Sequence, residues 1–389
     1  WSGENQQALQ AYDEHTFTTL EPVPPKISPV TYHRAVDDNG TISVVASFAA
    51  RVEDGTPIST ATNTAGIYIG NADNIDAATI RLAITGSYDP NSGVTVVLSA
   101  DNVASITLNT PYYIYPYVTT TDGNTTLTHV KTDAPDEIII HPFNGTGTQT
   151  DPFTINSLTH LNSLVANTTY WASHFVQTAT ATIDASAVSA SIGSTATNFT
   201  GTYNGGNNII DNYKLPMFGV INNNEKNNAK ISNLVLTDVN ITNDVASSSL
   251  GALVGEMVNG TVTSCNVTAS ISNDVADSSR GALVGEMVNG TVTSCNVTAT
   301  IAVSGKNAKA GGLVGAVTAG TLSDNTVSAT VTVTGSGEDS ATVAGGLVGN
   351  VTACTISNNS VNATVTGADT MGCVSGNGGT LTENACHNT

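Results

Sequence analysis

The chain has 389 residues, only 11% of them charged, and its 31 acidic against 11 basic residues give a formal net charge of −20. Such a charge argues against binding to nucleic acid or anionic lipid, because both depend on Lys and Arg contacts to phosphate groups. Apolar residues make up 40% of the sequence, more than a disordered chain contains. The abundance of Thr, Val, Asn, Ser and Gly predicts an ordered protein built mostly from strands and turns.

Two features of the sequence concern targeting. It contains no run of about 18 apolar residues, so we expect no membrane-spanning segment. It begins at Trp1 without a signal peptide, and we expect a processed chain from which the targeting segment has been removed.

The N-terminal part, residues 1–140, contains eight of the eleven tyrosines and no internal repeat. Runs rich in β-branched and aromatic residues, bounded by turn residues, predict strands at 42–55, 65–71 and 111–118. In the last of these, Pro116 suggests a strand at a sheet edge, because proline cannot donate a ladder hydrogen bond. We predict an antiparallel β-sandwich over 1–140, followed by a linker over 141–150.

A long repeat dominates the C-terminal part. Residues 243–269 and 273–299 are offset by 30 positions and differ at only two of them. Further copies begin at Gly311 and Gly345, and a degenerate copy runs from Gly372 to Cys386. Each copy suggests three short strands, which read ALVGEMV, TVTSCNV and TASIS in the first copy. None of these can bury its apolar face alone, so successive copies must stack.

The repeats therefore predict an all-β fold, with a right-handed parallel β-helix over 151–389 after the sandwich. Amphipathic helices would need an apolar period of 3.6 residues instead. Stacking should bury one ladder of leucines and one of valines. These are Leu253, Leu283, Leu313 and Leu347, and Val254, Val284, Val314 and Val348.

The five cysteines do not form an even disulfide framework. Cys265 and Cys295 occupy equivalent repeat positions and should stay unpaired, because adjacent strands hold Cβ atoms about 4.8 Å apart rather than the ~3.8 Å of a disulfide. Cys373 and Cys386 are the stronger candidates for a bridge.

The repeat pattern G-[AG]-L-V-G followed by G-T-[VLI]-[ST] resembles the GLUG-motif repeats of bacterial surface proteins. The segments 145–165 and 198–212 resemble the first turns of those β-helices, including a short capping turn or helix around His160–Val165. A strand ending in Arg51, then AGIYIGN and the Tyr-rich PYYIYPYV, is similar to the N-terminal sandwich of fimbrillin-like pilus subunits. That second resemblance implies cleavage after an arginine such as Arg51 and assembly by an added strand.

Parallel β-helices also build polysaccharide lyases, so an enzyme is a competing interpretation of the repeats. The region 151–389 holds one arginine, five lysines and no paired aspartates, and this disfavours lyase and glycosidase sites. No H-E-x-x-H zinc motif occurs. Glu256 and Glu286 share a repeat position, and we interpret them as solvated carboxylates rather than half of a cation site. The sequence thus predicts no enzyme, no catalytic, cofactor or metal-binding residues, and no cofactor.

The predicted function is cell adhesion, with the β-helix displayed at the tip of a pilus. Its partners would be a protein or glycan receptor on a host or neighbouring cell, and other pilus subunits. Its location would be extracellular, anchored at the outer membrane or associated with a pilus. Two alternatives stay open: a lectin-like carbohydrate-binding module, and a singly anchored structural surface protein. Since no aromatic residue follows Phe218, contacts along the repeats would use Asn, Thr and Asp hydrogen bonds.

Overall fold

The computed structural model describes residues 26–28, 30–51, 64–74, 80–89, 93–122, 125–132, 135–223, 229–242, 249–335, 341–382 and 384–387. Contacts divide the chain into two units. The first comprises the described residues up to Arg34 and from Ser43 to Ile140. The second comprises Ala35–Ile42 and everything from His141 onward.

The described residues before 141 form antiparallel sheets. Its strands are β1 (Lys26–Ile27), β2 (Thr31–Val36), β3 (Ile42–Ser47), β4 (Ala50–Arg51), β5 (Thr64–Gly70), β6 (Ile80–Asp89), β7 (Gly93–Leu98), β8 (Pro111–Asp122), β9 (Thr125–Val130) and β10 (Asp136–Ile139), with helix α1 (Ala100–Ala104) before β8. The larger sheet has the order β10-β8-β5-β6-β7-β3-β2, and β9 also pairs with β8. β1 pairs with β4.

The edge-strand interpretation of Pro116 is wrong. β8 has partners on both sides, because β5 pairs with it along its length while β10 and β9 share its other side. The pairing of β10 with β8 ends at Ile114 of β8, and the pairing of β9 with β8 begins at Tyr117 of β8. Pro116 lies in the gap between these two partners, where a missing N–H breaks no ladder bond.

The second unit is a parallel β-solenoid, as the repeats predict. Its first turns contain β11 (Phe153–Ile155), α2 (Leu158–Ala166), the 3₁₀ turn Thr168–Tyr170, β12 (His174–Gln177), β13 (Ile183–Asp184), β14 (Thr202–Asn204), β15 (Ile209–Asp211), β16 (Phe218–Asn222), β17 (Lys230–Ser232) and β18 (Val235–Ile241). Helix α2 covers the segment where a capping turn or helix was expected. Its N-cap is Ser157, whose side chain accepts a hydrogen bond from the His160 N–H.

The repeats supply the remaining strands. They are β19 (Ser249–Leu250), β20 (Val254–Val258), β21 (Thr261–Thr263), β22 (Asn266–Asn273), β23 (Ser279–Gly281), β24 (Val284–Thr293), β25 (Asn296–Val303), β26 (Lys309–Gly311), β27 (Val314–Ser323), β28 (Thr326–Val333), β29 (Val343–Gly345), β30 (Val348–Val351), β31 (Thr355–Ser357), β32 (Ser360–Thr366), β33 (Thr370–Gly372), β34 (Ser375–Asn377), β35 (Thr380–Thr382) and β36 (Ala385–His387).

These strands form three parallel sheets along the solenoid. The first sheet runs from β11 through β24 and β27 to β34, the second has the order β13-β15-β18-β22-β25-β28-β32-β36, and the third the order β19-β23-β26-β29-β33. Each copy therefore contributes to all three sheets, with either one long strand or two short strands in the first sheet. The in-register pairing of Val254 with Val284, and of Val284 with Val314, shows that successive copies stack as expected.

The strand boundaries within a copy differ from the prediction. The segment TVTSCNV was expected to be one strand, but the chain turns a corner at Ser294, whose φ is 57°, and at the equivalent Ser264. The residues after the corner join the next segment in one long strand, as in β25. The third sheet comes from the residues that lead into the glycine motif together with its first glycine, as in β23. The later copies place Asp324 and Asn358 at this corner, and Asp and Asn are among the non-glycine residues that enter the left-handed region most readily.

Burial of the ladders follows the prediction. The four leucines and the four valines named above are all fully buried. The first glycine of the motif permits this packing, since a Cβ on Gly281 would lie 2.1 Å from the Val284 carbonyl oxygen. The backbone itself approaches too closely for any side chain there.

The first turns of the solenoid have an aromatic core instead. Phe143, Phe153 and Phe175 are buried, with ring centroids 5.2 to 5.7 Å apart. Phe143 comes from the segment expected to be a linker, and it packs inside the solenoid core. The segment Ala35–Ile42 also belongs to this unit, because Val36 exchanges two hydrogen bonds with the Asn144 side chain.

Candidate functional site

The second sheet of the solenoid presents the surface that we consider the candidate site. Four of its strands, β22, β25, β28 and β32, pair in register without a shift. In β25 the burial alternates strictly between exposed and buried positions. Because side chains in a strand point to opposite faces in turn, the apolar residues fill the core and the others line up outside.

The outward side chains of these four strands, which we call the hydroxyl face, carry no charge. They comprise eight Thr, four Ser, three Asn and one Ala. Strand by strand, they are Asn266, Thr268, Ser270 and Ser272, then Asn296, Thr298, Thr300 and Ala302, then Thr326, Ser328, Thr330 and Thr332, then Ser360, Asn362, Thr364 and Thr366. The hydroxyl face is therefore uncharged, although the protein has a net charge of −20.

The hydroxyl face is ordered in two directions. Adjacent strands lie about 4.8 Å apart, and outward residues along one strand repeat at about 6.6 Å. Some neighbours bond to each other: Asn296 Nδ2 donates to Asn266 Oδ1 at 2.9 Å, and Thr366 Oγ1 to Thr332 Oγ1 at 3.4 Å. Thr is also stiff at χ1, so its hydroxyl groups are held in place by the strand itself.

A trough of about 330 Å³ runs across this face. One wall contains Thr268, Thr298 and Asn362, and the other contains Thr300 and Thr330. Between the walls the floor is the strand backbone at Ala269, Ala299 and Ala329, whose side chains face the core. The trough therefore offers hydrogen-bond donors and acceptors on both sides of an uncharged floor.

Sequence reasoning missed this surface as a site, although it predicted hydrogen bonding by flat faces. The usable signal was the alternation in segments such as TVSATVTV, repeated at the period of the copies. Only the register of the strands shows that these residues meet on one face.

Glu256 and Glu286 lie in register on neighbouring strands of the first sheet, as their repeat positions predict. Partial burial, and next the charge of Glu286, raise the pKa of the Glu256 carboxyl. Ser249 Oγ donates to Glu286 Oε2 at 3.0 Å. Among the residues that the structure describes, no group of three His, Cys, Asp or Glu side chains is arranged to hold a metal ion.

A polar ladder inside the solenoid was not predicted. Asn325 and Asn359 are buried at the corner position that Cys265 and Cys295 occupy in the earlier copies. Asn325 Nδ2 donates to Asn359 Oδ1 at 2.9 Å, and Asn359 Nδ2 donates to Asn384 Oδ1 at 2.9 Å. This ladder satisfies backbone groups at the corners, for example the Cys295 N–H, which donates to Asn325 Oδ1 at 3.0 Å.

The cysteine predictions are confirmed. Cys265, Cys295 and Cys354 are free and buried, and Cys373 is joined to Cys386. The Cys265 thiol donates a hydrogen bond to the Cys295 sulfur, and this bond, together with burial, raises the pKa of Cys265. Cys265 therefore stays protonated near neutral pH.

The aromatic side chains of the first turns are part of the hydrophobic core. Tyr170, Trp171, Tyr203 and Tyr213 are all buried, and burial raises the pKa of Tyr203 and Tyr213 well above the ordinary value. Arg280, the one arginine of this region, is also buried, and desolvation lowers its pKa to about 10. None of these side chains offers a binding platform at the surface.

Arg51, the residue expected to be processed, is the last residue of β4. It is exposed and pairs with Lys26 of β1. In the part of the chain that the structure describes, no helix is long and apolar enough to cross a membrane.

The chain was compared with protein families, curated proteins and solved structures. No family model matches the sequence, and no curated protein matches it significantly. Among solved structures, the chain is similar to the crystal structure of a putative immunoglobulin A1 protease from Bacteroides ovatus. The match has 16% sequence identity and a TM-score of 0.42, and covers 63% of this chain and 86% of that one.

This comparison contradicts the prediction that the chain is not an enzyme, because the similar structure is itself named as a protease. The sequence argument failed because the absence of a few motifs excludes only the mechanisms that need those motifs. At this identity and TM-score, the likeness assigns no activity to the present chain either. The resemblances to GLUG repeats and to fimbrillin-like subunits stay predictions.

Proposed function

We propose that this chain is a cell-surface adhesion protein that contacts its partner through the hydroxyl face of the solenoid. The observation that carries the proposal is the hydroxyl face itself, in which four in-register strands present an uncharged, ordered polar surface. A stacked parallel sheet holds this surface rigid, so little conformational entropy is lost on binding.

The disulfide between Cys373 and Cys386 supports a location outside the cytoplasm, because such bonds persist in oxidising compartments. The net charge of −20 keeps nucleic acid and acidic lipid from competing for the surface. Both properties suit a protein displayed at the cell exterior.

Adhesion is tested by coating beads with the purified chain and measuring their retention on host cells and neighbouring bacterial cells. Thr300→Glu puts a charge in the middle of the hydroxyl face, and we expect it to reduce retention at least tenfold. Thr318→Glu adds the same charge at an exposed position of the first sheet and should retain wild-type adhesion. Equal retention by the two variants would contradict the proposal.

Display at a pilus tip is the finer form of this proposal. It is motivated by the fimbrillin-like order of strands before residue 140 and by the exposed Arg51 at the end of β4. Purification from the native cell surface should recover the chain together with pilus subunits and cut after Arg51. Recovery of the chain alone and uncut would favour a singly anchored surface protein instead.

A further inference from the structure

We infer that the trough on the hydroxyl face binds a linear, uncharged polysaccharide that lies along the solenoid axis, with one sugar residue per turn. This inference rests on the proposed adhesive role and names the class of molecule that is bound. It draws on the shape of the trough, its chemistry and its lack of charge.

The shape favours an extended polymer. The trough crosses β22, β25, β28 and β32, and its lining includes residues from Thr268 at one end to Thr364 at the other. Its volume of about 330 Å³ is at the small end for ligand sites, so it holds one chain rather than a branched or globular ligand. Each turn advances about 4.8 Å, a length close to that of one pyranose in an extended chain.

The chemistry matches sugar hydroxyl groups. Every sugar hydroxyl is both a donor and an acceptor, and so is each Thr and Ser hydroxyl on the walls. Asn362 adds an amide with both functions at one end of the trough. Because the walls repeat from turn to turn, they can present similar partners to each successive sugar.

The charge distribution selects neutral polymers. The sixteen outward positions of the hydroxyl face include no Lys or Arg that could pair with a uronate or sulfate. The protein as a whole has a charge of −20 and repels polyanions. An acidic polysaccharide would thus lose free energy on approach and gain no ion pair.

The mode of binding follows from what the trough lacks. The sequence has no aromatic residue after Phe218, so sugars cannot stack on a ring as they do in many lectins. Each sugar contributes only a few hydrogen bonds, each of small net value. Single sugars should therefore bind weakly, and affinity should grow with chain length until the trough is filled.

The test is calorimetric titration of the full chain with linear neutral oligosaccharides, from disaccharide to octasaccharide, of β-1,4-linked glucose, mannose and N-acetylglucosamine. For at least one series we expect the affinity to rise about three- to tenfold per added sugar. The rise should stop near the length that spans the four strands. Uronic acid oligosaccharides of the same lengths should bind at least tenfold more weakly.

Variants locate the binding site. The double variant Thr300→Val and Thr330→Val removes two wall hydroxyls and keeps the β-branched shape, and we expect at least a tenfold loss of affinity. The matched control, Thr291→Val and Thr318→Val on the first sheet, should bind as the wild type does. Circular dichroism and thermal melting should show that both double variants stay folded.

Three results would overturn the inference: no binding to any neutral series, affinity independent of length, or equal losses in the variant and its control. If Thr300→Glu abolishes adhesion while no oligosaccharide binds, the hydroxyl face contacts a protein and only the sugar assignment fails. If Thr300→Glu leaves adhesion intact, the proposed function itself fails.

Discussion

The solenoid has two regions with different interiors. Its aromatic turns, between Phe143 and Ile221, pack rings of Phe and Tyr under the capping helix α2, whereas the repeat turns, between Ser249 and Thr366, pack ladders of Leu and Val. The aromatic turns contain irregular segments and short strands, and the repeat turns contain strands of up to ten residues. Only the regular region carries the hydroxyl face. The outer surface of the repeat turns is ordered because their interior repeats from turn to turn as well.

The largest effects should come from truncating the two interiors. Phe175→Ala removes a ring that lies 5.6 Å from Phe143 and 5.7 Å from Phe153, and should lower the free energy of unfolding by about 3–5 kcal/mol. Leu313→Ala, in the middle of the leucine ladder, should lower it by about 2–5 kcal/mol. Hydrogen exchange should show the loosened backbone near each site, because solenoid turns contact mainly their neighbours.

The control for these truncations is Leu381→Ala, at a leucine that is 50% exposed in the last turn. Its effect should stay within about 0.5 kcal/mol. A similar loss for Leu381→Ala and Leu313→Ala would mean that the ladder is not the core.

The last turn should depend on its disulfide. Cys373 and Cys386 are 13 residues apart in the sequence, and the double change to Ser should destabilise this turn by about 2–3 kcal/mol. Faster hydrogen exchange should be confined to β33–β36. A reducing agent should have the same effect on the wild type and none on the double variant.

Breaking the asparagine ladder should lower the free energy of unfolding somewhat less than removing the disulfide does. Asn359→Ala removes the acceptor of the Asn325 N–H and the donor to the Leu322 carbonyl. Buried groups left without partners should cost about 1–3 kcal/mol, measured by urea denaturation. Asn362→Ala, at an exposed position of β32, which begins directly after Asn359, is the matched control and should change little. Asn325→Cys tests whether the cysteine of the earlier copies can replace asparagine.

The aromatic turns, unlike the repeat turns, should lose stability in acid. His160 on α2 is fully buried, and desolvation lowers its pKa from the ordinary 6.5. Since the unfolded chain then binds the proton more readily, stability should fall as pH drops below about 6.5. The carboxylates of Asp37 and Asp38 oppose this shift, and hydrogen bonds from Thr41 and Asn39 lower the pKa of Asp37, so it stays ionised in that range.

The pH dependence is measured by thermal melting of the wild type and of His160→Leu at a series of pH values. We expect the variant to lose part of the decline below pH 6.5. His174→Gln, at a half-buried histidine that hydrogen-bonds Thr202, should keep the wild-type dependence. An unchanged decline in His160→Leu would show that another group controls the acid response.

The smallest effect should be at the glutamate pair of the repeat turns. Glu256→Gln removes a like charge directly opposite Glu286 and should stabilise the fold by roughly 0.2–1 kcal/mol. Because burial and then Glu286 raise the pKa of Glu256, the stability present at low pH is lost as pH rises through that pKa. Glu286→Gln should relieve the same repulsion, and destabilisation by either change would contradict this account.

The sequence by itself determined the parallel solenoid. Its repeats made the stacking, the buried ladders at Leu253 and Val254 and their equivalents, and the unpaired Cys265 and Cys295 predictable. These features depend only on which residues recur at a fixed period, because stacking in register brings recurrent residues together. The short helix near His160 was expected only from the resemblance to the first turns of GLUG-repeat β-helices, and in the structure Ser157 is its N-cap.

Tertiary structure decided the rest. The corners at Ser264 and Ser294 depend on how sheets close around the core, and no local propensity separates them from strand residues. Pro116 breaks no ladder bond because the pairing of β10 and the pairing of β9 with β8 end on either side of it, and no local pattern shows where they end. The hydroxyl face depends on the register of β22, β25, β28 and β32, because a shift by one residue would turn its threonines into the core. Which side chains meet across strands is a property of pairing, and pairing is set only when the whole solenoid is assembled.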